Sequence, residues 1–189
     1  MQKSVIIGSI LGDGYLRIVP GRSDAFLETN HSIKAKEYVW WKYSVLQNIC
    51  RTAPKERIID DRRTAFRFFT RQHAEITLMF SEYYDNGRKI IPDSLVLDPV
   101  SLAVWYMDDG SKCRDCDVYL NCQQFSLNDQ KKLIVKLRKL GIKARLNRDK
   151  KYYRIRILKE SLKAFFDIIE PHIIDSMRYK LVPKRTDCD

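Results

Sequence analysis

Two apolar runs of this chain end in aspartate, where a soluble protein has reason not to leave a charge. The stretch Ile6-Ile-Gly-Ser-Ile-Leu-Gly-Asp-Gly14 is an apolar run closed by Asp13. A second, Leu102-Ala-Val-Trp-Tyr-Met-Asp-Asp-Gly110, is closed by Asp108 and Asp109. An apolar run of this length reads as a buried helix or strand. A carboxylate at its end is costly unless it meets a cation or hydrogen-bond donors. Half the chain separates the two endings. Nearly the same interval separates Lys89 from Lys180, each of which opens a Lys, two aliphatics and Pro: Lys89-Ile-Ile-Pro92 and Lys180-Leu-Val-Pro183. One duplication accounts for all four positions.

Matched carboxylates and lysines suit phosphodiester hydrolysis. Metal ions held by carboxylates neutralise charge on the attacking and leaving oxygens. Mg²⁺ takes one or two protein carboxylates and keeps several waters, so one aspartate per copy is sufficient. Mn²⁺ accepts the same oxygen ligands. Asp13 and Asp109 are therefore the candidate metal-binding acids, and two scissile strands would need two such centres. Lysine supplies a mobile point charge near the phosphate or the attacking water. Asp108 has Gly12 as its counterpart in the first copy. Both positions are accordingly read as secondary metal ligands, through their backbone carbonyls.

The chain of 189 residues carries a formal charge of +11. Such an excess favours an extended polyanion as partner, nucleic acid ahead of a membrane surface. Composition, with 44% apolar and 11% aromatic residues, describes a globular chain. No segment reaches the roughly 18 consecutive apolar residues of a membrane span. The N-terminus lacks a basic n-region and cleavage site. An intracellular protein is expected, in a prokaryotic cytoplasm or the organelle that encodes it, and not a secreted one. Five cysteines, an odd number, argue against a disulfide framework. Cys113 and Cys116 form a C-x-x-C with Cys122 nearby, but no second C-x-x-C or H-x-x-x-H completes a zinc site, and His31, His73 and His172 are scattered. Free thiols are the reading.

The elements that must position the acids follow from pattern. Ser4 can cap a helix to Gly12. Strands are expected at 15–18 and 25–30 around Pro20-Gly21. A helix spans about 32–50, then strands at 55–60 and 65–70, then a helix at 72–84 stopped by Asn86-Gly87. In the second half, 118–125 reads as strand and Ser126 caps a helix with Asp129 at its fourth position, counted from the cap. Gly141 sits where a left-handed residue is wanted. Strands at 143–147 and 152–158 and a helix at 161–169 complete the series. Trp40, Trp41, Trp105 and Phe165 read as core. The order helix, two strands, helix, two strands, helix thus occurs twice, and copies of one module tend to pack about a local two-fold axis.

Both apolar stretches and the repeated element order resemble the LAGLIDADG homing endonuclease family, over almost the whole chain. The resemblance implies an α+β fold of two pseudo-symmetric αββαββα repeats, residues 1–93 and 94–189. Each would carry an antiparallel, saddle-shaped sheet over the DNA major groove, with the motif helices as the central interface. The family's metal-binding acids fall on Asp13 and Asp109, and its basic active-site residues on Lys89 and Lys180. One departure stands out. The third motif position, small in the family for close helix contact, is Gly8 in the first copy but Val104 in the second.

The polar side of the strands is the expected DNA face. Tyr119, Asn121 and Gln123 alternate with apolar residues, as do Tyr152, Arg154 and Arg156 with Tyr153, Ile155 and Ile157. Arg, Asn and Gln match base edges in the major groove. The first copy offers Arg17, Thr29, Arg57, Arg67 and Arg71. Turn residues Arg62, Arg63, Arg148, Lys150 and Lys151 are placed on phosphates. The two copies differ strongly here, so a long, asymmetric target is expected for a monomeric, metal-dependent double-strand DNA endonuclease. An RNA maturase assisting splicing of its intron, on the same scaffold, is the rival reading.

Overall fold

The computed structural model describes residues 1–60, 63–113 and 117–181. The first repeat is built from α1 (Gln2–Leu11), β1 (Tyr15–Ile18), β2 (Ala25–Ser32), α2 (Lys36–Leu46), β3 (Lys55–Asp60), β4 (Arg63–Phe69) and α3 (Ala74–Tyr83). A short ribbon, β5 (Tyr84–Asp85) and β6 (Arg88–Lys89), follows it. The second repeat is α4 (Pro99–Asp109), β7 (Gly110–Cys113), β8 (Asp117–Leu120), α5 (Leu127–Lys139), β9 (Ala144–Asp149), β10 (Tyr152–Ile157) and α6 (Leu162–Ile169). Each repeat forms one antiparallel four-stranded sheet, in the orders β1-β2-β4-β3 and β7-β8-β10-β9. Strand order, like element order, is the same in both.

Helices α1 and α4 lie against each other at the centre. Every residue of α1 from Val5 to Leu11 is buried, as expected of a helix apolar on all sides. Helix α4 starts at Asp98, whose side chain accepts from the Ser101 N–H while the Ser101 hydroxyl accepts from the Asp98 N–H, with Pro99 in the first turn. Gly8 resolves the departure at the third motif position. A Cβ there would come within 2.6 Å of both the Ser101 carbonyl oxygen and the Val104 Cβ. One glycine therefore makes room for the valine, and the close helix contact survives with a small residue on one side only.

Some local structure differs from the pattern reading. Strand β8 ends at Leu120, and Cys122–Phe125 makes a turn closed by the Phe125 N–H on the Cys122 carbonyl. Its partner β7, Gly-Ser-Lys-Cys, has no apolar alternation to announce it. Asn86 and Gly87 both have positive φ (48° and 75°) and turn the β5–β6 ribbon, the residue pair such a two-residue hairpin favours. Trp105 and Phe165 are core, but Trp40 is 41% exposed, edge-on to Tyr43 and tilted on Phe66. Cys50, Cys113 and Cys122 are free thiols; Cys116 lies outside the described residues. Among the described residues, no helix is long and apolar enough to cross a membrane.

Candidate active site and nucleic-acid interface

Helices α1 and α4 deliver their acids to the same end. The Asp13 N–H donates to Asp108 Oδ2 at 3.2 Å. The Gln124 side-chain amide spans both helix ends, reaching the carbonyls of Leu11 (3.0 Å) and Gly12 (3.3 Å) and Asp109 Oδ2 (3.5 Å). Asp13, Gly12, Lys89, Gln124, Tyr15 and Arg88 line an open cleft of about 340 Å³. Burial raises the Asp13 pKa, and the Asp108 charge raises it further. Asp109 is pushed up to about 7, by burial and then by the charges of Asp13 and Asp108. Buried acids raised by neighbouring negative charge would be relieved by a bound cation.

The two lysines reach this place by unlike routes. Lys89, on β6, donates to the Gly12 carbonyl at 2.7 Å. Lys180 ends a 3₁₀ turn, Asp175–Lys180. Its ammonium meets the carbonyls at the end of α4, those of Met107, Asp108 (3.3 Å) and Gly110 (3.1 Å). That is the negative end of the helix dipole. Burial lowers the Lys89 pKa to about 8, against the pull of Asp109, Asp108 and Asp13. Burial lowers Lys180 as well. The carbonyls of Gly12 and Asp108, read from the sequence as metal ligands, thus each accept from a lysine.

The Asp108 carboxylate has a different fate. It is fully buried and accepts from Lys42 Nζ at 2.8 and 2.9 Å and from the Tyr38 hydroxyl at 2.8 Å. Burial alone would raise its pKa, but Lys42, His31 and the Lys42 and Tyr38 hydrogen bonds bring it below the usual carboxylate range. Its counterpart has to be glycine, because a Cβ on Gly12 would come within 2.4 Å of Asp108 Cβ. Burial and the Lys42 charge depress His31 to about 4, so the ring is neutral near pH 7. Lys42 Nζ lies 3.4 Å from Nε2, which must then accept. The proton is thereby assigned to Nδ1, which faces Asp13 Oδ2 at 3.4 Å. Asp13, His31 and Asp108 bring ligand atoms within 4.8 Å of one another, but the Lys42 ammonium already stands against Asp108 and His31. Of the three acids at the helix ends, Asp13 and Asp109 are the two that could hold a metal.

The profile described as the LAGLIDADG DNA endonuclease family matches residues 3–165. The chain belongs to this family. It is 31% identical over 205 residues to DNA endonuclease I-ChuI of Chlamydomonas applanata, covering 95% of this chain and 94% of that protein. It is 30% identical over 198 residues to the cytochrome b mRNA maturase bI2 of Saccharomyces cerevisiae, covering 94% of this chain but only 46% of the maturase. Among solved structures, the homing endonuclease I-WcaI bound to its DNA recognition sequence superposes with a TM-score of 0.89 at 26% identity, over 97% of this chain and 87% of that one.

Outward from the LAGLIDADG helices, register decides which side chains share a sheet face. In the second sheet Arg156 pairs with Tyr119 and Arg145, and Arg154 with Asn147. Arg154 stacks on the Tyr119 ring, 3.7 Å from its centroid, and Arg156 is ion-paired with Asp117. Tyr152 continues the same face, with Lys151 over its ring. In the first sheet Arg17, Asn30, Lys55, Arg57 and Arg67 share a face: Lys55 and Asn30 both pair with Arg67, and Arg57 with Ala65. Arg17 is paired with Glu28.

Several expected contacts are placed elsewhere. Thr29 is fully buried on the opposite face with Leu27, which corrects its reading as a DNA contact. Asn121 turns its amide back to the Asp109 carbonyl (2.8 Å) and Ser111 Oγ (3.1 Å), fastening the sheet to α4. Gln123 meets Asp149 at 3.3 Å. Arg63 opens β4, and Arg71 lies beyond its end, its N–H on the Ile49 carbonyl. Arg148 lies near the end of β9, paired with Tyr153, and Lys150 in the turn that follows, the Arg148 Nε donating to the Lys150 carbonyl at 3.1 Å. Arg62 lies outside the described residues. Pattern reading missed Gln124, which the turn after β8 swings into the cleft, and Arg145 and Asn147 on β9. It also missed Lys42, although a signal was present: Tyr38, Lys42 and Leu46 make one buried stripe of α2, where a lysine needs a partner.

Proposed function

We propose that this chain is a monomeric, site-specific double-strand DNA endonuclease that uses a divalent metal, Mg²⁺ with Mn²⁺ as substitute. The observation that carries the reading is the meeting of Asp13 and Asp109 at one end of the paired helices, bridged by the Gln124 amide, both raised by burial and by neighbouring acid charge and each with a lysine on its own helix end. When bound, the metal would neutralise charge on the attacking and leaving oxygens. Asp13 and Asp109 would hold it, one acid for each scissile strand. Lys89 and Lys180 place positive charge beside the scissile phosphates, and their lowered pKa values favour proton exchange with nearby water. Each repeat, 1–93 and 94–189, contributes one acid, one lysine and one basic sheet face. The likeness to I-ChuI over nearly the full length of both proteins, and to the DNA-bound I-WcaI, supports this reading.

The test is incubation with Mg²⁺ and a plasmid library of random inserts. Members carrying one long, asymmetric sequence should be linearised, and EDTA should stop the reaction. A protein that linearises nothing with Mg²⁺ or Mn²⁺ would refute the reading. The bI2 relative favours a second role, assisting intron RNA splicing. Tight, salt-resistant binding of a structured intron RNA by the Asp13→Asn variant would establish it separately from cleavage.

A further inference from the structure

We infer that Lys42 and His31 are positioning residues for Asp13, and that the two DNA strands consequently depend on them unequally. The inference rests on the endonuclease reading. Lys42 Nζ is fully buried and touches both oxygens of Asp108 and Nε2 of His31. Two arms leave this ammonium and converge on one residue. Asp108 Oδ2 accepts the Asp13 N–H at 3.2 Å, and His31 Nδ1 faces the Asp13 carboxylate at 3.4 Å. Backbone and side chain of Asp13 are thus both fixed from inside the protein. Tyr38 completes the cage around Asp108 and stacks with Trp41 in the core.

Core stability does not explain such a pair. Desolvation of two buried charges roughly offsets their attraction, and an apolar pair of equal volume would fill the space as well. An apolar pair could not orient Asp13. Among the described residues Asp109 has no matching support: its carboxylate meets Gln124 at 3.5 Å on the exposed side. Nor could the first repeat carry a second such device, since Asp108 occupies the space that a side chain on Gly12 would need. A carboxylate held in place keeps its bound groups aligned, and a misplacement of about 1 Å can cost up to about a hundredfold in rate.

The experiment uses a duplex selected from a randomised library by binding in Ca²⁺, each strand carrying its own end label. Single-turnover cleavage is started with Mg²⁺, with DNA affinity and melting temperature measured alongside. Lys42→Met combined with Asp108→Asn removes both buried charges together, and His31→Ala cuts one arm alone. Each variant should slow one strand at least about tenfold relative to the other, and the same strand in both, while affinity stays near wild type. Equal slowing of the strands, no slowing, or slowing of opposite strands would overturn the inference, and if the double variant does not fold His31→Ala alone decides. Wild-type protein that cuts neither strand would instead overturn the endonuclease reading, and this inference with it.

Discussion

Equivalent positions of the two repeats differ in an orderly way. Where a residue belongs to the proposed catalytic site, the copies agree: Asp13 with Asp109, Lys89 with Lys180. Where a residue faces its own counterpart across the helix pair, they disagree: Gly8 against Val104, Gly12 against Asp108. Space near a pseudo-two-fold axis can be filled from one side only, so divergence there maintains packing that identity would spoil. Outside the axis the copies diverge freely, and Lys89 on a ribbon and Lys180 on a 3₁₀ turn reach corresponding places through unrelated backbone.

The largest expected effect tests the agreement. Asp13→Asn or Asp109→Asn should lower cleavage at least about a hundredfold, the scale of losing one strong electrostatic stabiliser. DNA affinity should stay within about tenfold, because the phosphate contacts are untouched. A variant that still linearised the target at the wild-type rate would remove that acid from the chemistry. Lys89→Met and Lys180→Met should slow cleavage less, each turning part of the double-strand break into a nick. They should also differ from each other. Lys180 caps the carbonyl end of α4, so its loss should cost about 1 kcal/mol more stability than loss of Lys89, readable by urea denaturation.

The sheet faces give the next comparison. Arg154→Ala or Arg156→Ala should relax preference at one or two base pairs, with roughly 1–3 kcal/mol of discrimination lost. Arg148→Ala or Lys151→Ala should weaken all sites alike and lower the salt slope by about 0.9 per lost phosphate contact. Binding profiles over all single-base variants at two salt concentrations separate these. Uniform losses from all four would mean that this face does not read bases.

The smallest effect is in pH. Asp109 is raised from 3.8 to about 7, so between those values the native protein holds a proton that the unfolded chain has released. Its contribution to stability therefore falls as pH rises from about 4 to about 7. His31, lowered from 6.5 to about 4, runs the opposite way over its own window. The informative quantity is thus the melting temperature of Asp109→Asn minus that of wild type, in metal-free buffer. It should grow as pH is raised across this interval.

The fold, and the convergence of Asp13, Asp109, Lys89 and Lys180 on the ends of one helix pair, were legible because duplication writes each signal twice. Lys42 was not, since a lysine on a helix ordinarily reads as solvated and only its partner, 66 residues away, gives it meaning. Strand β7 was hidden by its composition, and its identity depends on pairing with β8. Thr29 was assigned to the wrong face because β2 carries apolar residues on both: Ala25 and Leu27 inward, Phe26 partly outward. Gln124 was missed for a single reason, that strand alternation was carried one turn too far.

The close fit of Gly8 under Val104 and of Gly12 under Asp108 bears on recombination of the halves. A protein assembled from two first repeats would face glycine with glycine and leave a gap at both levels. One assembled from two second repeats would set valine on valine and bring two Asp108 carboxylates together in a single buried space, with the Lys42 that neutralises one of them left behind in the discarded half. Neither symmetric product should form a sound helix pair. Chimeras with other members of the family would have to exchange α1, α4 and α2 as one unit, and sheet faces could be exchanged separately.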